Sequence, residues 1–382
     1  MINKIRRSRA LATGGEETLL APAGEETSGA EQSDRGAVLV LVALMALILL
    51  GIGSFAVDFG MTWAAKRTLS VSADAAALAA AGKLAELSQP GTGCVANQTE
   101  ATSIATTVNE QNAPGSTVTS VTVTCDPAGA YGQVKVVNQQ QVDSLFGGIF
   151  GASGYQPTRE ATARFGPASS APGLRPWAVC VDDAVAAGSP KIGQVVAVPF
   201  DNFTGKCGTT APGNWGLVDF DDGSNPTGDI RDWTLNGYPG SVCLGPGCSD
   251  LPADPGASPI NTSSVLAALD TLVSNQQVVE FPLVSAYVPG GGNNASFATS
   301  GVVSGYVCGY DFDGGQNKYN YGSCWDSSVL PDPAVAQNAN QEIGYFQVKI
   351  TNTVSSYVGA GSTCGAFGSS CDYGVRWVQL YE

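Results

Sequence analysis

Not one histidine occurs in the 382 residues. That absence removes the Ser-His-Asp and Cys-His arrangements and the zinc-hydrolase motifs that depend on imidazole. Ser-x-x-Lys and Gly-x-Ser-x-Gly are missing too, which takes away the commonest remaining serine nucleophiles. Cys-x-x-Cys does not occur: the closest cysteines, Cys243 and Cys248, have four residues between them and no matching second pair, so a structural zinc site lacks its ligand set. Charge is scarce at 13% of residues, and positive charge is the scarcer sign. From Leu84 onward 10 Lys or Arg stand against 25 Asp or Glu, a difference equal to the whole net charge of −15. A surface of that sign repels phosphate backbones, so nucleic acid is not an expected partner.

What is present is glycine (48 residues), much Ser, Thr, Asn and Gln, and ten cysteines. The cysteines stand at Cys94, Cys125, Cys180, Cys207, Cys243, Cys248, Cys308, Cys324, Cys364 and Cys371, every one C-terminal to the main apolar run. An even number on one side of such a run reads as an oxidising compartment rather than as buried thiols. Cys94 and Cys125 are alone in their region and form a natural pair. Proximity in sequence suggests Cys180–Cys207, Cys243–Cys248, Cys308–Cys324 and Cys364–Cys371 for the rest, although spacing alone does not fix connectivity.

The apolar run is Gly36 to Val57, 22 residues without a charge. As a helix it would extend roughly 33 Å, the thickness of a bilayer's hydrocarbon core. A cleaved signal peptide is the competing reading, since Ser54-Phe55-Ala56 offers small residues to a peptidase; the 35-residue leader with six acidic residues argues against it. A buried core helix is disfavoured by the unbroken apolarity. The cluster Lys4, Arg6, Arg7 and Arg9 on one side and the cysteines on the other orient the span, with the C-terminal portion outside the cytoplasm. Strong helix formers, many of them Ala, continue to Pro90 and predict one rod, whose outer half serves either as a slim surface for another helix or as a spacer.

Gly36 before the span, Asp58-x-Gly60 after it, basic Lys66-Arg67, and the string Ala73-Asp74-Ala75-Ala76-Ala77-Leu78 together resemble the N-terminal module of bacterial Flp pilus-assembly proteins of the TadE/TadG-like type. Val134-x-Val136, Phe146-x-x-Ile149-Phe150-Gly151 and Ala161-Thr162-Ala163-Arg164 are similar to the strand, aromatic-glycine turn and strand that follow in such proteins. Gly213-Asn214-Trp215-Gly216 and the segment from Val278 to Cys308 resemble the outer domain of TadG-like members. The resemblance implies a bacterial membrane component of the Tad machinery, which assembles Flp pili for surface adherence, with other pilus-assembly proteins as partners. The fifth residue after Gly36 is Leu41, where pilin-like subunits carry Glu, so the chain fits the anchored accessory members better than filament subunits. The Asp-x-Ser-x-Ser string of a metal-dependent adhesion domain does not occur.

Expected organisation is a cytoplasmic tail at 1–35, the transmembrane helix at 36–57, an Ala-rich stalk helix at 58–90, a small α+β unit at 91–165, a linker at 166–176, and a mainly β extracytoplasmic domain at 177–382. The fold class is thus a long N-terminal α-helix followed by a disulfide-stabilised, mainly β region of α+β type. Helices are expected over Glu100–Asn109 and Thr262–Val273. Strands are expected over Ser116–Cys125, Trp177–Val181, Gln194–Pro199, Val278–Val288, Thr299–Tyr310, Gly344–Thr351 and Gly374–Tyr381, with a glycine-rich turn at 289–294.

No catalytic residue, cofactor or small-molecule substrate is expected, and the function anticipated is non-enzymatic. Two acidic groups, Asp219, Asp221, Asp222, Asp229 and Asp232 and then Asp311 and Asp313, have parts of a calcium loop without its full spacing, and solvated turn residues are the plainer reading. A paired-carboxylate glycosidase draws on the same residues without further support. Asn-x-Ser/Thr occurs at Asn97, Asn202, Asn261 and Asn294 and would matter only on a eukaryotic surface. The runner-up function is a surface binding module or adhesin sharing the anchor.

Overall fold

The computed structural model describes residues 31–151, 154–168, 170–199, 207, 216–221, 226–254, 262–288, 295–312, 318–331, 344–355 and 366–381. The turn at 289–294, the basic cluster at 4–9, and Gly213, Asn214 and Trp215 fall outside those residues. Two compact units are present, residues 1–58 and residues 59–382.

Helix α1 runs Glu31–Leu87 without interruption. No proline lies inside it, and Pro90 bars continuation beyond the last turn. In the first unit its large apolar side chains from Val38 onward are exposed: Leu39 is 71% and Leu50 68% accessible.

In the second unit, the same helix becomes core. Leu69, Ala73, Ala76, Ala77, Ala80, Ala81, Leu84 and Ala85 are all buried, a spacing of three and four that lines one helical face. The Ala-rich stretch expected as a stalk helix packs here against a sheet, which its small side chains approach closely. The sheet begins with β1 (Ser116–Cys125), β2 (Gly132–Gln140) and β3 (Thr158–Pro167), an antiparallel meander. Helix α2 (Gln98–Asn112), capped by the Asn97 side chain accepting from the Glu100 amide, adds Ala101 and Ala105 to the same core. The strands answer with alternate residues, Val134 and Val136 from β2, Ala161, Ala163 and Phe165 from β3. Phe165 lies against Gly132, where any Cβ would fall 2.2 Å from its ring.

A buried polar cluster sets the register of these pieces. Ser72 donates to Asn109 Oδ1 at 2.8 Å, Asn109 Nδ2 donates to Ser116 at 2.8 Å, and Asn138 Nδ2 donates to Asn109 Oδ1 at 2.9 Å and to the Leu69 carbonyl at 3.0 Å. Sliding α1 by one residue would leave these groups unpaired in the interior, at about 1–3 kcal/mol each.

The first sheet is not complete within 91–165. Its order is β1, β2, β3, then Val375–Leu380, then Thr353–Ser355. The strand Val375–Leu380 pairs antiparallel with β3, Arg376 opposite Pro167 and Trp377 opposite Gly166. Segment 166–176, expected as a linker, is packed: Gly166 and Pro167 end β3, and Leu174 and Arg175 are buried. Its Gly, Pro and Ser composition reflects tight packing rather than freedom, since a Cβ at Gly166 would meet the Trp377 ring at 2.9 Å.

An eight-stranded sheet forms the rest. Its centre is the pair Val278–Val288 and Ser296–Phe312, antiparallel, with Tyr345–Thr351 on the other edge of the long strand and Val195–Pro199 beyond it. Both faces are covered. One core gathers Phe281, Phe346 and Trp177 with the helix Ser263–Asn275, which supplies Val265, Leu269 and Leu272. The other gathers Phe297, Tyr287 and Leu244 together with Val375 and Trp377, so the closing strand, paired in the first sheet, packs into the core of the second. A helix at Thr227–Asn236 had no sequence expectation; its Ile230 and Trp233 are buried.

Candidate functional site

The motif residues lie along α1. Gly36, Gly60 and Arg67 are exposed and Asp58 is buried. Ala73 and Ala76 sit in the helix–sheet core, whereas Asp74, Ala75 and Leu78 are half-buried on the neighbouring side. The structure thus divides the string into residues that hold the sheet and residues that flank them. From Val38, α1 is long and apolar enough to cross a membrane.

The C-terminal end of α1 is held by residues nearly three hundred positions away. Arg376, 1% exposed, donates through Nε to the Ser88 carbonyl at 2.9 Å and through Nη1 to Asp372, itself 3% exposed. Asn352 Nδ2 donates to Gln89 Oε1 beside it. A guanidinium at this place satisfies carbonyls that the last helical turn leaves open and faces the negative end of the helix dipole. Burial lowers the Arg376 pKa and Asp372 opposes that shift. This joint carries no chemistry; it fixes α1 to the closing strand. Sequence reasoning missed it because a single Arg in a strand signals nothing about a distant helix end.

A second cluster lies beside the long strand, on the short strand Lys318–Tyr321 and the start of Tyr345–Thr351 that pair with it. Tyr319, Tyr321, Trp325 and Tyr345 stack in series with ring centroids 5.0, 4.5 and 5.4 Å apart. Tyr319 and Tyr321 are about half exposed (52% and 50%), and Tyr345 is buried. The Tyr321 hydroxyl donates to Asp311 at 2.8 Å, a bond that pushes its pKa up to about 12. Behind the stack, Asp270 accepts from Tyr310 at 2.8 Å and from Asn320 at 2.6 Å; burial, followed by that bond, raises the Tyr310 pKa. Alternating Tyr-x-Tyr in a short strand was the available signal, and Asp270 gave none.

The acidic groups do not assemble as one site among the described residues. Asp219 is buried and accepts from the Asp221 amide at 3.2 Å, a turn contact, while Asp232 pairs with Arg231 at 2.6 Å on the helix Thr227–Asn236. Asp311 serves Tyr321; Asp222 and Asp313 lie outside the described residues. Sulfur is committed to bridges: Cys94–Cys125, Cys180–Cys207, Cys243–Cys248 and Cys308–Cys324 are formed. Cys371 is disulfide-bonded as well, and Cys364 lies outside the described residues. The proximity of Cys180, Asp182 and Cys207 is therefore no metal centre, since both sulfurs are in one bridge.

Residues 36–83 match the Flp pilus-assembly TadE/G-like family. No curated protein and no solved structure matches the chain. The matched segment coincides with the exposed apolar half of α1 and the buried small-residue half up to the last turns.

Proposed function

We propose, from a chain whose residues 36–83 are TadE/G-like, that the protein is a non-enzymatic, membrane-anchored component of Flp pilus assembly. Gly36 to Val57 is the single span, and the second unit stands on the outer face of the bacterial cell membrane, where pilus or envelope proteins are its partners. The observation that carries the reading is the coincidence of the family match with a helix exposed over its large apolar residues. Disulfide-bonded cysteines C-terminal to that helix support the outward orientation. Deleting the gene and imaging the cell surface tests it: loss of pili and of attachment is expected, and unchanged pili with unchanged attachment would refute it.

A second reading, an adhesin with its own ligand site, is favoured by one observation, the exposed pair Tyr319 and Tyr321. Aromatic faces beside an acceptor such as Asp311 suit a sugar or a cationic group. Changing both tyrosines to Ala separates the readings. Pili kept with attachment lost supports the adhesin; both kept supports the assembly role.

A further inference from the structure

Strand register places a carboxylate among the stacked rings. Asp311, near the end of Ser296–Phe312, stands directly opposite Tyr319 on one neighbouring strand and opposite Tyr345 on the other. Residues opposite each other on adjacent strands point to the same face, so both rings flank Asp311. Tyr321 is two residues beyond Tyr319 and shares that face. Trp325 joins the two sides, stacking on Tyr321 at 4.5 Å and on Tyr345 at 5.4 Å. The rings therefore form an arc with Asp311 inside it.

The arc is held in place from below. The indole of Trp325 lies on Gly309, where a Cβ would fall 2.8 Å from its ring. The bridge Cys308–Cys324 ties the strand to the residue before Trp325, the Gly322 amide donates to the Cys308 carbonyl at 2.8 Å, and the Trp325 amide donates to the Gly322 carbonyl at 3.1 Å. Groups already positioned lose little freedom when a ligand arrives.

The chemistry of the arc is one-sided. Tyr321 donates its hydroxyl proton to Asp311 Oδ2, and among the described residues nothing donates to Asp311 Oδ1 and no cation pairs with this carboxylate. The bond to Asp311, then burial and the charges of Asp311 and the neighbouring phenols, raise the Tyr321 pKa; burial, then Asp311, raise that of Tyr345. A sugar hydroxyl both donates and accepts, whereas a lysine ammonium or arginine guanidinium only donates. A charged acceptor framed by aromatic rings suits the second kind of group, and the net charge of −15 attracts it from a distance. Small free molecules are held in concavities that bury most of their surface. With Tyr319 and Tyr321 half exposed, this face is open and suits a side chain presented by a larger surface.

We infer that Asp311, with Tyr319, Tyr321, Trp325 and Tyr345 around it, is a binding site for a cationic side chain, lysine or arginine, of a partner protein. The inference rests on the second reading above and deepens it by giving the ligand a charge.

The test titrates the full chain in detergent micelles with N-acetyl-lysine methylamide, N-acetyl-arginine methylamide, the lysine probe acetylated at its side-chain nitrogen, and methyl glucoside. The signal is tryptophan emission, which Trp325→Phe should remove. Saturable binding of a cationic probe is expected. The neutral probe and the glucoside should bind about tenfold or more weakly, as should the cation to Asp311→Asn, the worth of one hydrogen bond to a charged group. Asp250→Asn takes the same charge from an exposed position elsewhere and should leave binding unchanged. Equal losses in the two variants, or cation binding unaltered by Asp311→Asn, would overturn the site. Glucoside bound where the cations are not would overturn the cation and keep the second reading; neither bound would overturn both.

Discussion

The two halves of α1 invert the usual relation between oiliness and burial. Leu39, Leu47 and Leu50 in the first half are exposed, whereas Ala73, Ala77 and Ala80 in the second are fully buried. Hydrophobic side chains seek removal from water, and the first half achieves this only where the surrounding medium is not water. The second half is core because its side chains are short: Ala contributes little transfer energy per residue but permits close approach to β2 and β3. One helix therefore obeys two rules, and which rule applies at a position is a matter of environment rather than of residue hydrophobicity.

That contrast can be broken most sharply at the helix end. Arg376→Ala should cost about 3–5 kcal/mol in the second unit by stranding Asp372 in the interior, seen as a lower denaturant midpoint by tryptophan fluorescence. A loss below one kcal/mol would show that the joint is not needed. Next in size is the double change Cys94→Ser with Cys125→Ser, which frees a loop of 31 residues and should cost about 3–4 kcal/mol by the same measurement.

Ala80→Leu tests the helix face directly: overpacking against the sheet should cost about 1–3 kcal/mol. Leu47→Ala, a change that would cost about 2–5 kcal/mol in a water-bounded core, should leave the second unit's midpoint unchanged. Equal effects at the two positions would collapse the distinction between the halves.

The smallest effect is a titration. Tyr321 has its phenol pKa raised from 10.0 to about 12 by Asp311. A raised folded value means that the contribution of this bond is complete below pH 10 and disappears as pH climbs through 12. Absorbance of tyrosinate on raising the pH should show late-titrating phenols, Tyr310 and Tyr321 among them, and Asp311→Asn should move Tyr321, and not Tyr310, back toward 10.0.

Much of the fold could be read from the residues. Strands Ser116–Cys125 and Val278–Val288 are found with the expected ends, since Val/Thr alternation and β-branched density are local signals. The helix expected over Thr262–Val273 is found at Ser263–Asn275, and the long strand extends a few residues beyond Thr299–Tyr310 to Ser296–Phe312. What could not be read is non-local. Nothing in GPASSAPGLRP shows that its Gly166 packs against Trp377, and nothing in Val375–Leu380 shows that it pairs with β3, far earlier in the chain. The Ala-rich string suits a surface for another helix or a spacer by sequence, and in the fold it packs on this chain's own β2 and β3. Tyr319 and Tyr321 have a pattern in sequence, but Asp270 acquires meaning only from its neighbours Tyr310 and Asn320 in space.

The closing strand makes assembly of the first sheet wait. Until Val375–Leu380 is made, β3 offers a bare row of amides and carbonyls, and Ser88 has no guanidinium to meet its carbonyl. This sheet is begun early in the chain and completed by a strand far later in it, so an interrupted chain exposes a sticky sheet margin at β3. A protease or chaperone that recognises unpaired strands therefore has a means of distinguishing a completed copy from an interrupted one.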